Sequence, residues 1–267
     1  MKFKVFLIGA IAALLAPGYA SLADETPAGS VNKPAIEESI LCPTKNETAR
    51  ISYNNGLRLS GQGKPAEAMQ EYQKAIELDA NYCDAMDNLG QLLRSQGKLD
   101  EAIYWYKRSI NLVPGDRTAH TNLAVAYRFQ GKFDASISEY QILLKMNHRD
   151  PEGYYGLGSV YFASKDLSAA LEQFKKAEQL YLEANSPLVS DARYSLGLTY
   201  YLMKDYDKSI DYFERAYGSM QNNPRINYFL GLSYLEKGNM DRAGKYLRRA
   251  RELGATIPPE VAQKAGI

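Results

Sequence analysis

The chain has 267 residues, 45% of them hydrophobic, with 32 basic against 31 acidic side chains. That balance, a net of −1 once the first 23 residues with Lys2 and Lys4 are set aside, leaves no electrostatic footprint for nucleic acid. The 21 tyrosines stand against one tryptophan, two histidines and two cysteines, so aromatic bulk is plentiful while general bases and metal ligands are scarce.

At the start of the chain, Lys2 and Lys4 precede an apolar run of 12 residues, Val5 to Ala16, and then small residues ending in Gly18-Tyr19-Ala20 and Ser21-Leu22-Ala23. Basic, apolar, small is the order of a secretory signal peptide, and a bilayer-crossing helix takes about 20 apolar residues. Residues 1–23 are therefore predicted to be a cleaved signal, cut after Ala23 or after Ala20, leaving a soluble periplasmic or secreted protein. No cysteine stands directly behind the cut to take a lipid. Residues 24–43, rich in Pro, Ala, Ser and Glu, carry no sustained period and read as a flexible leader.

The two cysteines of an exported chain invite a disulfide, because that compartment is oxidising. Cys42 lies just before one helix start and Cys83 just inside the equivalent start one repeat later, so stacking would bring them together. The alternative is two thiols that never meet.

Beyond the leader, internal repetition is the dominant signal. A column of small residues runs Gly56, Gly90, Ala124, Gly158, Gly197, Gly231, at spacings of 34, 34, 34, 39 and 34. A second column, Ala68, Ala102, Ser136, Ala170, Ser209, Ala243, keeps those intervals, as does a bulky one, Tyr72, Tyr106, Tyr140, Phe174, Phe213, Leu247. Each unit reads as two short amphipathic helices joined by a turn such as Gln96-Gly97-Lys98 or Gln130-Gly131-Lys132. Thr44 with Glu47 has the spacing of a capping box, and Asp150-Pro151 and Asn223-Pro224 each place a capping side chain before a first-turn proline. The small columns fall where helices cross closely, and the bulky column is expected to fill the space between neighbouring units.

These residues resemble the tetratricopeptide repeat family, whose unit is a 34-residue helix-turn-helix with small and aromatic residues in this order. Residues 83–116 match best, through Leu89-Gly90, Leu93, Ala102, Tyr106 and Pro114. The resemblance implies an all-α, right-handed α-solenoid of six repeats within residues 44–257, at about 49–82, 83–116, 117–150, 151–184, 190–223 and 224–257. Asn55, Leu143 and His148 depart from the pattern, and the third unit is expected to pack less regularly. Five extra residues within 182–190 predict a longer connection and a bend, and residues 258–267 a C-terminal capping segment.

Function has to be read from surfaces. In the first helix of unit one, Ser52, Asn55, Gly56 and Leu59 make one stripe, while Arg50, Asn54, Leu57 and Gly61 lie on the opposite side, about 170° round. In the family that second side lines a concave groove. Carried through six units it divides in two. Asn54, Asn88 and Asn122 repeat in strict register with Asp87, Gln91, Arg94, Thr121 and Arg128 beside them; amides both donate and accept, so this ladder suits the backbone of an extended peptide. It is similar to the asparagine ladder of O-linked N-acetylglucosamine transferases. Tyr155, Phe162, Tyr194, Leu198, Tyr201, Tyr228, Phe229 and Leu232 continue the face as an aromatic half. Such a stripe is either core or an apolar grip that a partner covers.

The expected function is an exported scaffold holding a protein or peptide segment in its groove, with a place in an envelope complex. The rival reading is a carbohydrate or small-ligand module using the aromatic half. A clamp for a terminal carboxylate is not expected, since Tyr53 and Leu57 stand where the family's first unit would supply it. No enzyme, cofactor or metal site is expected either: His120 and His148 have no nucleophile or carboxylate at a recognisable spacing.

Overall fold

The computed structural model describes Cys42 and residues 44–267; the signal peptide and nearly all of the leader lie outside the described residues. Six helix pairs follow one another, α1 (Glu47–Gly61) with α2 (Pro65–Leu78), α3 (Cys83–Ser95) with α4 (Leu99–Leu112), and α5 (Arg117–Phe129) with α6 (Phe133–Met146). Then come α7 (Pro151–Ala163) with α8 (Leu167–Glu183), α9 (Val189–Leu202) with α10 (Tyr206–Met220), and α11 (Pro224–Glu236) with α12 (Met240–Glu252). A short α13 (Pro259–Ala265) lays Val261 and Ala265 on the last pair. Among the described residues there is no strand, and no helix is long and apolar enough to cross a membrane. Every helix packs on its chain neighbours, which makes the array an α-solenoid.

The three columns are the contacts inside each pair. A Cβ on Gly56 would sit 2.5 Å from the Tyr72 ring, one on Gly90 2.6 Å from Tyr106, and one on Gly197 2.7 Å from Phe213. The bulky residue of the second helix is thus seated on the bare backbone of the first helix of its own unit, and not between units as the sequence suggested. Unit three breaks the pattern because Ala124 carries the Cβ that the others lack. Its ring, Tyr140, lies in one buried cluster with Ala124 and also covers Gly156 of α7 in the next unit, where any Cβ would strike it. Gly158→Leu should cost about 1–3 kcal/mol by overpacking, since its Cβ alone would come within 2.7 Å of Phe174. An unchanged urea midpoint would show that the ring is not held there.

Between the helices of each pair one residue turns left-handed. Gly63, Gly97, Gly131 and Gly238 take φ of 69–76° at no steric cost, whereas Lys165 (68°) and Lys204 (63°) do the same in units four and five with a side chain attached.

The first helix is capped by Asn46, whose Oδ1 accepts from the backbone N–H groups of Thr48 and Ala49 at 3.0 and 3.1 Å. The capping box expected of Thr44 does not form; its hydroxyl instead donates to Asp79 at 2.5 Å, tying the entry strand to the end of α2. Asn223 caps α11 as expected, but Asp150 makes no cap hydrogen bond because its carboxylate receives Arg117 at 2.6 Å. The extra residues of unit four lengthen α8 to 17 residues, against 13–15 for the other paired helices. In the last two turns of α8, where the other units carry Ile76, Ile110 and Leu144, sits Glu178, buried, accepting from Arg193 of α9 at 2.9 Å and Arg215 of α10 at 2.7 Å. The junction read as a bend is therefore fastened by three charges on three helices.

Candidate partner-binding groove

Helices α3 and α5, α5 and α7, and α9 and α11 touch one another directly, so the first helices of successive units form the inner layer. Their outward stripe is the candidate groove. Asn54 and Gln91 are exposed on it, and Asn88, Asn122, Arg94, Thr121 and Arg128 are half-buried. The Asn88 amide donates to the Tyr53 hydroxyl and to the Asp84 carbonyl, each at 3.0 Å. Both donors are used, so what Asn88 offers a ligand is the acceptor Oδ1. Tyr53 leans on Tyr72 and Tyr82 at ring separations of 5.8 and 5.0 Å, and burial raises its hydroxyl pKa well above the usual tyrosine range.

Asp87 departs from expectation. It is 6% exposed and turned away from the groove, toward Ser109 of α4 and Asp116, the cap of α5. Its place in the repeat explains this. The same position holds Tyr53, Thr121, Tyr155, Tyr194 and Tyr228 in the other units, and Tyr53, Tyr155 and Tyr194 rest on the bulky column of their own pair. A carboxylate there inherits an inward-facing site. Burial, with the negative Asp116 as the second cause, pushes its pKa up to about 9. Tyr53 belongs to this column too; the sequence reading named it only as ruling out a carboxylate clamp, although the 34-residue register links it to the other tyrosines.

The aromatic half is more closed than a surface stripe. Tyr201 and Tyr228 are 4% and 6% exposed, while Tyr155, Phe162, Tyr194 and Phe229 are half-buried. These rings are not surplus to the packing column; they extend it. Tyr155 meets Phe174 at 5.5 Å, Tyr194 meets Phe213 at 5.6 Å, and Phe229 stands 5.6 Å from Tyr201 and 6.2 Å from Phe213. Edge and tilted contacts of this kind are favourable for aromatic quadrupoles. Helices α7, α9 and α11 are apolar almost all round, so each buries two faces.

His120 is a structural histidine. Nε2 donates to the Pro114 carbonyl at 3.0 Å and Nδ1 meets Glu139 at 2.6 Å, which engages both ring nitrogens inside the third unit. Cys42 and Cys83 lie with Cα atoms 5.7 Å apart and their sulfurs paired, a separation that a disulfide spans.

Comparison with known proteins agrees with this geometry. Models of the tetratricopeptide repeat match residues 49–82 and 224–253, 71–104, 90–131 and 149–222. Among solved structures, the chain resembles the APC/C hetero-tetramer Cut9–Hcn1 at 21% identity, over 82% of this chain and 42% of that one, with a TM-score of 0.69. It thus spans about two fifths of that relative's length. The MamA protein matches at 27% identity over 66% of this chain and 98% of its own, with a TM-score of 0.53. YrrB, described as a TPR protein with an unusual peptide-binding site, matches at 20% identity over 73% and 97%, with a TM-score of 0.52. No curated protein sequence matches the chain. A repeat of this length, a bulky side chain seated on glycine in each regular pair and models that match along most of the array make the chain a member of the tetratricopeptide repeat family.

Proposed function

We propose that this protein is an exported scaffold that holds an extended segment of a partner protein along the inner helices of its first three units. The observation that carries the reading is the amide register: Asn54 is exposed, while Asn88 and Asn122 are half-buried, 34 and 68 residues further on. A repeated amide facing a groove can hold a peptide backbone whatever its side chains. The rings of units four to six pack mainly against one another, which favours this reading over carbohydrate stacking and assigns the aromatic half a rigidifying role, with the rims of Tyr155, Phe162, Tyr194 and Phe229 in reach of a ligand.

Export is supported by the signal-like residues 1–23 and by the cysteine pair, which an oxidising compartment would close. Peptide mapping of the exported protein should find an N-terminus at Asp24 or Ser21 and a Cys42–Cys83 peptide that cannot be alkylated. A retained N-terminus or two free thiols would count against it.

For the groove, Asn54→Ala with Gln91→Ala and Asn122→Ala is expected to cut crosslinking to the partner by ten-fold or more while the melting temperature stays within a few degrees, because surface changes away from packing cost little. Undiminished crosslinking by the folded triple variant would refute the amide register.

A further inference from the structure

We propose that the outer face of units five and six, made by the second helices α10 and α12, is a contact between two copies of this chain related by a two-fold axis. The repeat register carries the argument. Asp211 and Glu214 stand three residues apart on α10, and 34 residues later the same two positions of α12 hold Lys245 and Arg248. All four are exposed, and at that spacing each pair lies on one side of its helix. Two equivalent positions thus change sign together between neighbouring units. The repeat itself asks for no charge there, since unit one carries Gln70 and Gln73 and unit three Ser138 and Gln141.

Among the described residues Lys245 and Arg248 make no ion pair. Asp211 meets Arg215 at 3.6 Å through one oxygen, and Glu214 meets Arg242 at 3.4 Å and the Tyr234 hydroxyl through Oε1, exposed pairs that are worth little and leave Oε2 of Glu214 open. Second helices of neighbouring units run in the same direction. A two-fold axis along them lays α10 of one copy on α12 of the other in register, so Asp211 faces Lys245 and Glu214 faces Arg248, and the same pairs recur across the axis. An axis across the helices would lay acid on acid and base on base, so the charges select one orientation. Neighbouring equivalents of like sign are engaged inside each chain, Asp207 by Lys237, Arg215 by Glu178 and Arg249 by Glu252. Beside the charged positions stand Tyr212 and Tyr246, half-buried and again equivalent, a residue type that anchors interfaces. Two helices about 20 Å long and about 10 Å apart offer roughly 400 Å² a copy, about half of what each partner of a stable complex buries. The dimer is therefore expected to be weak and to loosen with salt. Because the contact uses second helices, the inner helices of both copies stay open and a dimer presents two grooves.

The test uses the full mature chain with its cysteines oxidised. Sedimentation velocity at about 10 to 300 μM in low salt should show a monomer–dimer equilibrium whose dissociation constant rises at least ten-fold in about 0.5 M sodium chloride. Lys245→Asp with Arg248→Glu makes both rows acidic, and Asp211→Lys with Glu214→Arg makes both rows basic. Each variant alone should stay monomeric over that range, while an equal mixture should pair one to one, because each then meets opposite charge on both helices. A monomeric wild type, a dimer that survives either reversal, or folded variants that do not pair when mixed would overturn the interface. Should a variant fail to fold, carbodiimide coupling of mixed unlabelled and nitrogen-15-labelled wild-type chains decides: a mixed-isotope peptide joining Asp211 to Lys245 supports the contact, and its absence overturns it. Partner capture enters none of these measurements, so the groove reading stands or falls separately.

Discussion

Replacing Asp87 by Asn is expected to stabilise this protein at pH 8 by at least about 2 kcal/mol, and to flatten its stability between pH 5 and pH 8. Asp87 is buried between α3, α4 and α5, and meets a second buried carboxylate, Asp116, which caps α5 by accepting from the N–H groups of Thr118 and Ala119. Two carboxylates in contact cannot both ionise without a large penalty. Asp116 has two backbone donors to hold its charge and Asp87 has an unpartnered Oδ1, so Asp87 keeps the proton.

Its folded pKa is about 9 against an ordinary value of 3.8. The folded state therefore binds a proton that the unfolded chain has released. The stabilising contribution is complete below the unfolded value and is lost as pH rises toward the folded one, at up to about 1.4 kcal/mol per pH unit. Asparagine has the same shape, can donate to Asp116 and has no proton to give up. Urea titrations at pH 5 and pH 8 on both proteins check this: the two should converge at low pH and separate at high pH. Equal slopes would mean that Asp87 is not the proton holder.

Asp87 also shows where sequence reading reached its limit. The periodic residues were legible because their causes are local: a small residue at a fixed period marks a close approach, although the period alone did not say that the bulky column is seated inside its own pair. What the period hides is the side to which a boundary position turns. Tyr53, Asp87 and Thr121 share a register that a helical wheel places near the groove, and only the neighbouring pair, with its ring or its Ser109 and Asp116, draws the side chain inward. The other surprises have the same form. Tyr140 covers Gly156 of the next unit as well as packing with Ala124 of its own, and Lys165 and Lys204 adopt a backbone that a sequence reader assigns to glycine.

The bridge between Cys42 and Cys83 joins residues 41 apart and encloses the whole of unit one. An end unit packs on one side only, so in a linear array it is the first to open. By chain entropy a closed loop of this length is worth about 4 kcal/mol, comparable to the packing such a unit contributes. Cys42→Ala is therefore expected to destabilise α1 and α2 selectively, by about 3–4 kcal/mol. Hydrogen exchange should accelerate across residues 47–78 and remain slow in α9 to α12, the last of which packs against α13 and which no disulfide ties. Uniform acceleration would mean that the array unfolds as one body. No change would mean that Thr44 and Asn46, which donate to Asp79 and to the Leu78 carbonyl, hold the unit without the bridge. Asn54 rides on α1, so on the proposed amide register a chain lacking the bridge should also lose crosslinking to a partner at the first unit.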